Sequence, residues 1–294
     1  LEDAMSTQVG VAHVEQFKNN VIMLSQQRDS RLRGAVRVDP DFLKGKSGFY
    51  ERIGATAVVK RTSRHSDTPL VSTPHSRRRV TMDDYEWADL IDRQDVIRMM
   101  IDPESRYAKN ASQAMGRQMD DVIITAMGGS SYAIDEDDSA SAVTFPSGQK
   151  VAHGSAGLTV AKILSAKEIL WANEVDDSEQ MFIVCAGKQI SDLLNTTEVK
   201  SSDYNTVKAL AQGEISDFAG FTFIRSQRLA TDATPSRLAY AFVPSSIGLA
   251  IGDDVTSRVS ERDDKSYATQ VYLSMSIGAT RVEEEKIVQI ACNE

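Results

Sequence analysis

His65 and His75 stand ten positions apart, with Asp67 and several Ser and Thr hydroxyls between them, in the stretch RHSDTPLVSTPHSRRRVTMDDYEWADLID at 64–92. Imidazoles near a carboxylate are the raw material of a metal site or of acid–base catalysis. A metal needs further ligands at tight spacing, and only Asp67 is near. His13 and His153 lie elsewhere without a supporting pattern. The sequence contains no G-x-S-x-G, P-loop, G-x-G-x-x-G or H-E-x-x-H motif. Ser, His and Asp are all present, but a triad is a spatial arrangement and not a composition. The acidic run Asp135, Glu136, Asp137, Asp138 would attract a cation, although a solvated loop is the commoner role for such a run. This reading assigns no catalytic residue, no metal, no cofactor and no enzymatic activity.

The same stretch carries a second kind of chemistry. Lys60, Arg61, Arg64, Arg77, Arg78 and Arg79 make it basic, and Asp83, Asp84, Glu86, Asp89 and Asp92 follow at once. A basic run can neutralise phosphates. No aromatic residue lies between Tyr50 and Tyr85, however, so a stacking platform for single strands is missing. The abrupt charge reversal suits a head-to-tail contact in which one copy's basic arm meets the next copy's acidic root. Such heterologous contacts propagate into rings or shells. Arginine fits the role because its planar fork pairs a carboxylate bidentately. One exposed pair is worth only about 0–1 kcal/mol, so several must act together. The expected inter-subunit residues are Arg64, Arg77, Arg78 and Arg79 against Asp83, Asp84 and Glu86.

Bulk properties limit the function classes. The chain has 294 residues, 41% hydrophobic and 26% charged, enough for one large domain or two interleaved ones. A net charge of -9 argues against a protein that wraps nucleic acid over most of its surface. It suits a container of DNA better than a binder. The two cysteines, Cys185 and Cys292, sit in apolar runs and read as buried free thiols. No run has the length of a transmembrane helix, and no signal peptide is visible, so a cytoplasmic compartment is expected.

Elements must position these residues. Val14, Phe17, Val21 and Leu24 recur at helical spacing and mark an N-terminal amphipathic arm that needs a partner surface. Residues 35–82 read as strands and turns. Pro69 and Pro74 exclude a helix interior, and two extended arms, one including ATAVVKRTS, would form a long projecting hairpin. Residues 83–101 read as helical, with Trp87, Leu90 and Ile91 near one face and Ile97 and Met100 or Ile101 further on. The best-marked helix follows: Asp102 as cap, Pro103 at the first position, and Tyr107, Ala111, Met115, Met119, Val122 and Met127 along one stripe before Gly128 and Gly129. Residues 130–157 read as an acidic, Ser- and Gly-rich loop and boundary. Beyond it come the helix LTVAKILSAKEILWANEV with Thr159 as cap, the buried strand QMFIVCAG, a short helix KQISDLLN, and the strands FAGFTFIRS, LAYAFVPS and SIGLAIG. Tyr267 to Ile277 alternates, and KIVQIAC closes the chain.

The blocks RHSDTP, TPHSRRRV, DYEWADLIDRQDVIRMMIDPESRYAKNASQAMGRQMDDVIITAMGG, SSDYN and ERDDKSYATQVYLSMSIGATRVEEEKIVQIAC, in this order, resemble the major capsid proteins of tailed bacteriophages. The resemblance runs from about residue 14 to 292. It implies an α+β Hong Kong 97-like fold with these parts: an N-arm at 1–45, an extended β-hairpin loop at 46–82, a peripheral domain at 83–157 with a spine helix at 103–127, an axial domain at 158–258, and peripheral return strands at 259–294. It implies self-assembly into pentamers and hexamers of an icosahedral head around double-stranded DNA, assembled in the host cytoplasm, with portal and scaffolding or decoration proteins as partners and no membrane. Two alternatives stand beside it: an encapsulin-like compartment of the same fold, and a DNA-binding accessory protein using the basic run.

Overall fold

A computed structural model describes residues 26–40, 47–65, 67–92, 103–134, 139–176, 178–195, 217–232 and 236–294. The amphipathic segment at 14–24, the acidic run at 135–138 and SSDYN at 201–205 lie outside them. The described chain is α+β, with three α-helices and three sheets.

The first sheet orders β1 (Arg37–Pro40), β12 (Ile247–Arg262), β13 (Ala268–Arg281) and β4 (Asp83–Ile91). Helix α1 (Pro103–Gly128) lies across it. Ala111, Met115, Met119, Ile123 and Met127 are buried at a strict spacing of four, so one stripe of the helix meets the alternate residues Val271, Leu273, Met275 and Ile277 of β13. Proline at the first position needs no N–H partner there. At 1.5 Å per residue, α1 is about 39 Å long.

The second sheet orders β7 (Lys150–Val151), β14 (Ile287–Asn293), β11 (Ser236–Phe242), β8 (Met181–Cys185), β10 (Phe221–Arg225) and β9 (Asp217–Phe218). Its two faces are both covered. Met181, Ile183, Cys185, Ala239, Ala241, Val288, Ile290 and Cys292 pack with Ile163, Ala166 and Leu170 of α2 (Val160–Ala172) and Leu193 of α3 (Gly187–Asn195). Val184, Tyr240, Phe242 and Ile287 face the α1 core instead. Continuous apolar runs such as MFIVC are what a strand buried on both faces requires. Both cysteines are free and buried, and burial pushes their thiols up, to about 12 for Cys185 and about 11 for Cys292. Thr159 Oγ1 accepts from the Lys162 backbone N–H at 3.4 Å, the expected cap of α2.

The third sheet orders β2 (Ser47–Ile53), β3 (His75–Thr81), β5 (Ser131–Ile134) and β6 (Ala140–Val143). The β2–β3 pairing makes a hairpin that keeps one expected arm, His75–Thr81, but takes Ser47–Ile53 as the other, closed where Gly54 N–H donates to Pro74 O at 2.9 Å.

Several expectations need correction. Residues 83–91 form a strand, not a helix: Asp83 to Ile91 pair antiparallel with Ile277 to Thr269. Tyr85, Trp87 and Ile91 turn inward while Asp84, Glu86, Ala88 and Leu90 stay exposed. Over nine residues a period of 2 and a period of 3.6 both fit, and pairing with β13 decides. The remainder of that expected helix, 93–101, is outside the described residues. ATAVVKRTS forms no strand, so the hairpin is paired only at its root. The supposed loop at 130–157 contains β5 and β6, which extend the hairpin sheet. The boundary expected at 258 falls inside β12, and the closing strand β14 joins the six-stranded sheet beside β11.

Candidate assembly surface

The segment between β2 and β3, residues 54–74, holds no regular secondary structure among its described residues and is exposed along its length. Val58 is 99% exposed and Leu70 97%, with Ile53, Val59 and Val71 exposed beside them. Fully covering one such side chain is worth about 1.5–3 kcal/mol. Lys60, Arg61 and Arg64 lie between the pairs Val58–Val59 and Leu70–Val71 and are exposed as well. The segment thus carries positive charge and uncovered hydrophobic surface together.

Alternation along the hairpin root gives it two unlike faces. On the outer face Phe49, Arg79 and Tyr132 stand in one cross-strand row. The Arg79 guanidinium lies 5.4 Å from the Tyr132 ring centre, a cation–π contact. Phe49 and Tyr132 are both exposed. Arg77, in the next row, reaches Glu51 at 3.3 Å on the surface.

The inner face is buried. Tyr50 and Val80 pack against Ala250 and Val282. The Tyr50 ring lies over Gly248, where any Cβ would overlap it, and Arg37 stacks 5.7 Å from the ring centre. Burial, with Asp39 beside it, pushes the Tyr50 phenol well above its usual range. Arg78, also on this face, is buried and donates to both carboxylate oxygens of Glu284 at 3.0 and 3.1 Å. Arg52 donates to the same carboxylate at 3.1 Å and Ser131 Oγ at 3.2 Å, while Arg281 Nε lies 3.8 Å away. Burial alone would raise the Glu284 carboxyl. The Arg78 hydrogen bonds and the charges of Arg78 and Arg52 outweigh it and hold the group below its ordinary value.

Arg281 is fully buried and donates to the carbonyls of Met127 at 3.1 Å, Gly129 at 2.7 Å and Val143 at 3.1 Å. The first two belong to the C-terminus of α1, where carbonyls lack helical partners and a cation is favoured. Burial lowers the Arg281 pKa. Two turns before that C-terminus, Asp120 of α1 is fully buried and accepts from Ser30 Oγ at 2.6 Å and from the backbone N–H groups of Arg31 and Leu32 at 3.1 Å. It fastens the chain that leads toward the N-terminal segment.

The sequence-expected contact residues therefore separate. Arg64 and Arg77 are exposed, Arg79 is half-buried, and Asp83, Asp84 and Glu86 are exposed on β4, an edge strand of the first sheet. No ion pair joins the basic set to this acidic set among the described residues. Arg78 differs from the rest because it is buried against its own chain's Glu284, whereas the Arg77–Glu51 pair is on the surface. His65 and His75 are exposed, and the described residues include no group of three His, Cys, Asp or Glu side chains placed to hold a metal. No described helix is long and apolar enough to cross a membrane. Sequence reasoning missed Glu284, Arg281, Arg52 and Asp120. The RVEEEK run at 281–286 marks an acidic turn, but nothing in it says which glutamate turns inward.

The family model for phage capsid protein matches residues 9–294. No curated protein matches the chain. Three solved structures share its fold at low identity. The capsid of the cyanophage P-SCSP1u aligns with TM-score 0.73 and 16% identity, over 100% of this chain and 97% of that one. The capsid of Ralstonia phage GP4 gives 0.72 and 10%, over 96% and 95%. The capsid asymmetric unit of the cyanophage Pam1 gives 0.70 and 13%, over 99% and 99%. A family match over nearly the full length and a fold held in common from end to end lead to one conclusion: the chain belongs to the phage capsid protein family.

Proposed function

We propose that this chain builds an icosahedral head from pentamers and hexamers, in the Hong Kong 97-like manner, and encloses double-stranded DNA without reading its sequence. In that architecture residues 1–45 are the N-arm, 46–82 the extended loop and 83–157 the body of the peripheral domain with α1 as its spine, while the six-stranded sheet with α2 and α3 forms the axial lobe. The observation that carries the reading is the segment 54–74. Its uncovered Val58 and Leu70 and its basic side chains contribute little to the chain's own core, and a neighbouring copy would cover them. Arg64, Arg77 and Arg79 meet Asp83, Asp84 and Glu86 of an adjacent copy. Arg78 leaves the contact set, because withdrawing it would strand a buried carboxylate. The shell assembles in the host cytoplasm, with portal and scaffolding or decoration proteins as partners, and carries out no catalysis.

Negative-stain imaging of the purified chain tests this directly. Closed particles containing double-stranded DNA are the expected product from a phage-producing host. A variant with residues 56–72 replaced by a short Gly–Ser linker is expected to fold and remain in small species. Normal particles from that variant would refute the role given to the loop, and particles filled with protein cargo and free of DNA would refute the genome-enclosing function.

A further inference from the structure

Three sheets meet at one short turn. Residues 282–286 connect β13 of the first sheet to β14 of the six-stranded sheet, and Glu284 in its middle grips Arg52, Arg78 and Ser131, one residue from each of β2, β3 and β5. The flanks of the turn hold the other side. Lys286 Nζ lies 3.3 Å from Glu179, 3.0 Å from Ser245 Oγ and 3.1 Å from Glu283, and Asn173 Nδ2 at the end of α2 donates to Glu285 O at 3.1 Å. Val282 N–H donates to Ser246 O at 2.8 Å. The turn is thus fastened to the α2 lobe by Lys286 and Glu285, and to the hairpin root by Glu284 and by the Val282 side chain, which packs on Tyr50 and Val80.

We infer that the 282–286 turn is a mechanical coupler, which makes the orientation of the β2–β3 hairpin depend on the position of the α2 lobe, with Glu284 as its grip on the hairpin. A carboxylate held by several charged donors is shared among strands that are otherwise joined to the body by Tyr50, Val80, the backbone of β5 and the direct run of β3 through Met82 into β4. A buried, ion-paired network has discrete arrangements and does not deform continuously, so a shift of the turn is passed to the hairpin as a change of angle. In a shell, covering the loop on a neighbour would then bias the lobe of the donating copy. That consequence rests on the assembly reading above, but the coupling itself does not.

Hydrogen exchange of the full, unassembled chain tests the coupling. Lys286→Gln is the informative variant, because Glu179, Ser245 and Glu283 all lie outside the hairpin. If the turn couples, amide exchange at 47–53 and 75–81 rises by about threefold or more in that variant, and by about tenfold in Glu284→Gln. Lys188→Gln, which breaks the surface pair with Asp192 on α3, leaves the hairpin unchanged. Should Glu284→Gln fail to fold, Arg52→Gln removes a partly exposed partner of the same carboxylate and is expected to act in the same direction. A Lys286→Gln effect confined to 173–185 and 243–246, or a uniform rise across the whole chain, would overturn the coupling.

Discussion

Glu284 concentrates the physical chemistry of this fold at one residue. A carboxylate this deeply buried is costly unless paired and hydrogen-bonded, and removing one partner of such a group is expected to cost about 3–5 kcal/mol. Its pH behaviour follows from the direction of its shift. The folded-state pKa lies below the ordinary 4.5, so the ionised form is favoured by folding. Its contribution is complete above the ordinary carboxylate range and is lost as the pH falls through the lower folded-state value. At pH 7, Glu284→Gln is expected to lower the unfolding free energy by about 3 kcal/mol. The gap between wild type and variant should narrow below about pH 4.5. Thermal melts at pH 7, 5 and 3 measure this, and a gap of constant size across all three would contradict the ionised grip.

At the scale of elements, α1 is a beam fastened at its C-terminus and again two turns before it. Arg281 closes its C-terminal carbonyls, and Asp120 holds the chain at 30–32. Gly116 permits the crossing, since a Cβ there would lie 2.8 Å from Ser30 N. Asp120→Ala leaves a hydroxyl and backbone N–H groups without their acceptor, at about 1–3 kcal/mol for a group that stays buried. Limited proteolysis should therefore cut the variant near residues 26–32 faster than wild type, with α1 and the six-stranded sheet still resistant. Equal cutting rates would show that the segment is held by other contacts.

For the whole molecule, charge and exposure together set the expected mode of association. Reversing Arg64, Arg77 and Arg79 to Glu changes residues outside the buried network, and exposed pairs such as Arg77 with Glu51 contribute at most about 1 kcal/mol. The variant is expected to melt close to wild type and yet form no particles by sedimentation. Partial rescue is expected from reversing Asp83, Asp84 and Glu86 to Lys in the same chain, because charge complementarity is then restored between copies. Wild-type assembly should also weaken with salt, as exposed charge pairs are screened over about 8–10 Å at moderate ionic strength. Undiminished assembly of the Arg variant would remove these arginines from the contact.

Local pattern alone specified much of this protein. The stripe of α1 with its Pro103 start, the buried strands MFIVC and IVQIAC and the Thr159 cap are all legible because each depends on residues near in sequence and on burial periodicity. Tertiary structure decided the rest, for two reasons. DDYEWADLI satisfies helical and extended spacing alike, and only its neighbour β13 selects the strand. Among the arginines of SRRRV, side-chain alternation turns Arg78 inward and leaves Arg77 outward, but the carboxylate that makes burial of Arg78 tolerable lies 206 positions away. Pairing at that distance leaves no trace in local composition, because its free energy arises only when the strands have been brought together and water has been excluded from between them.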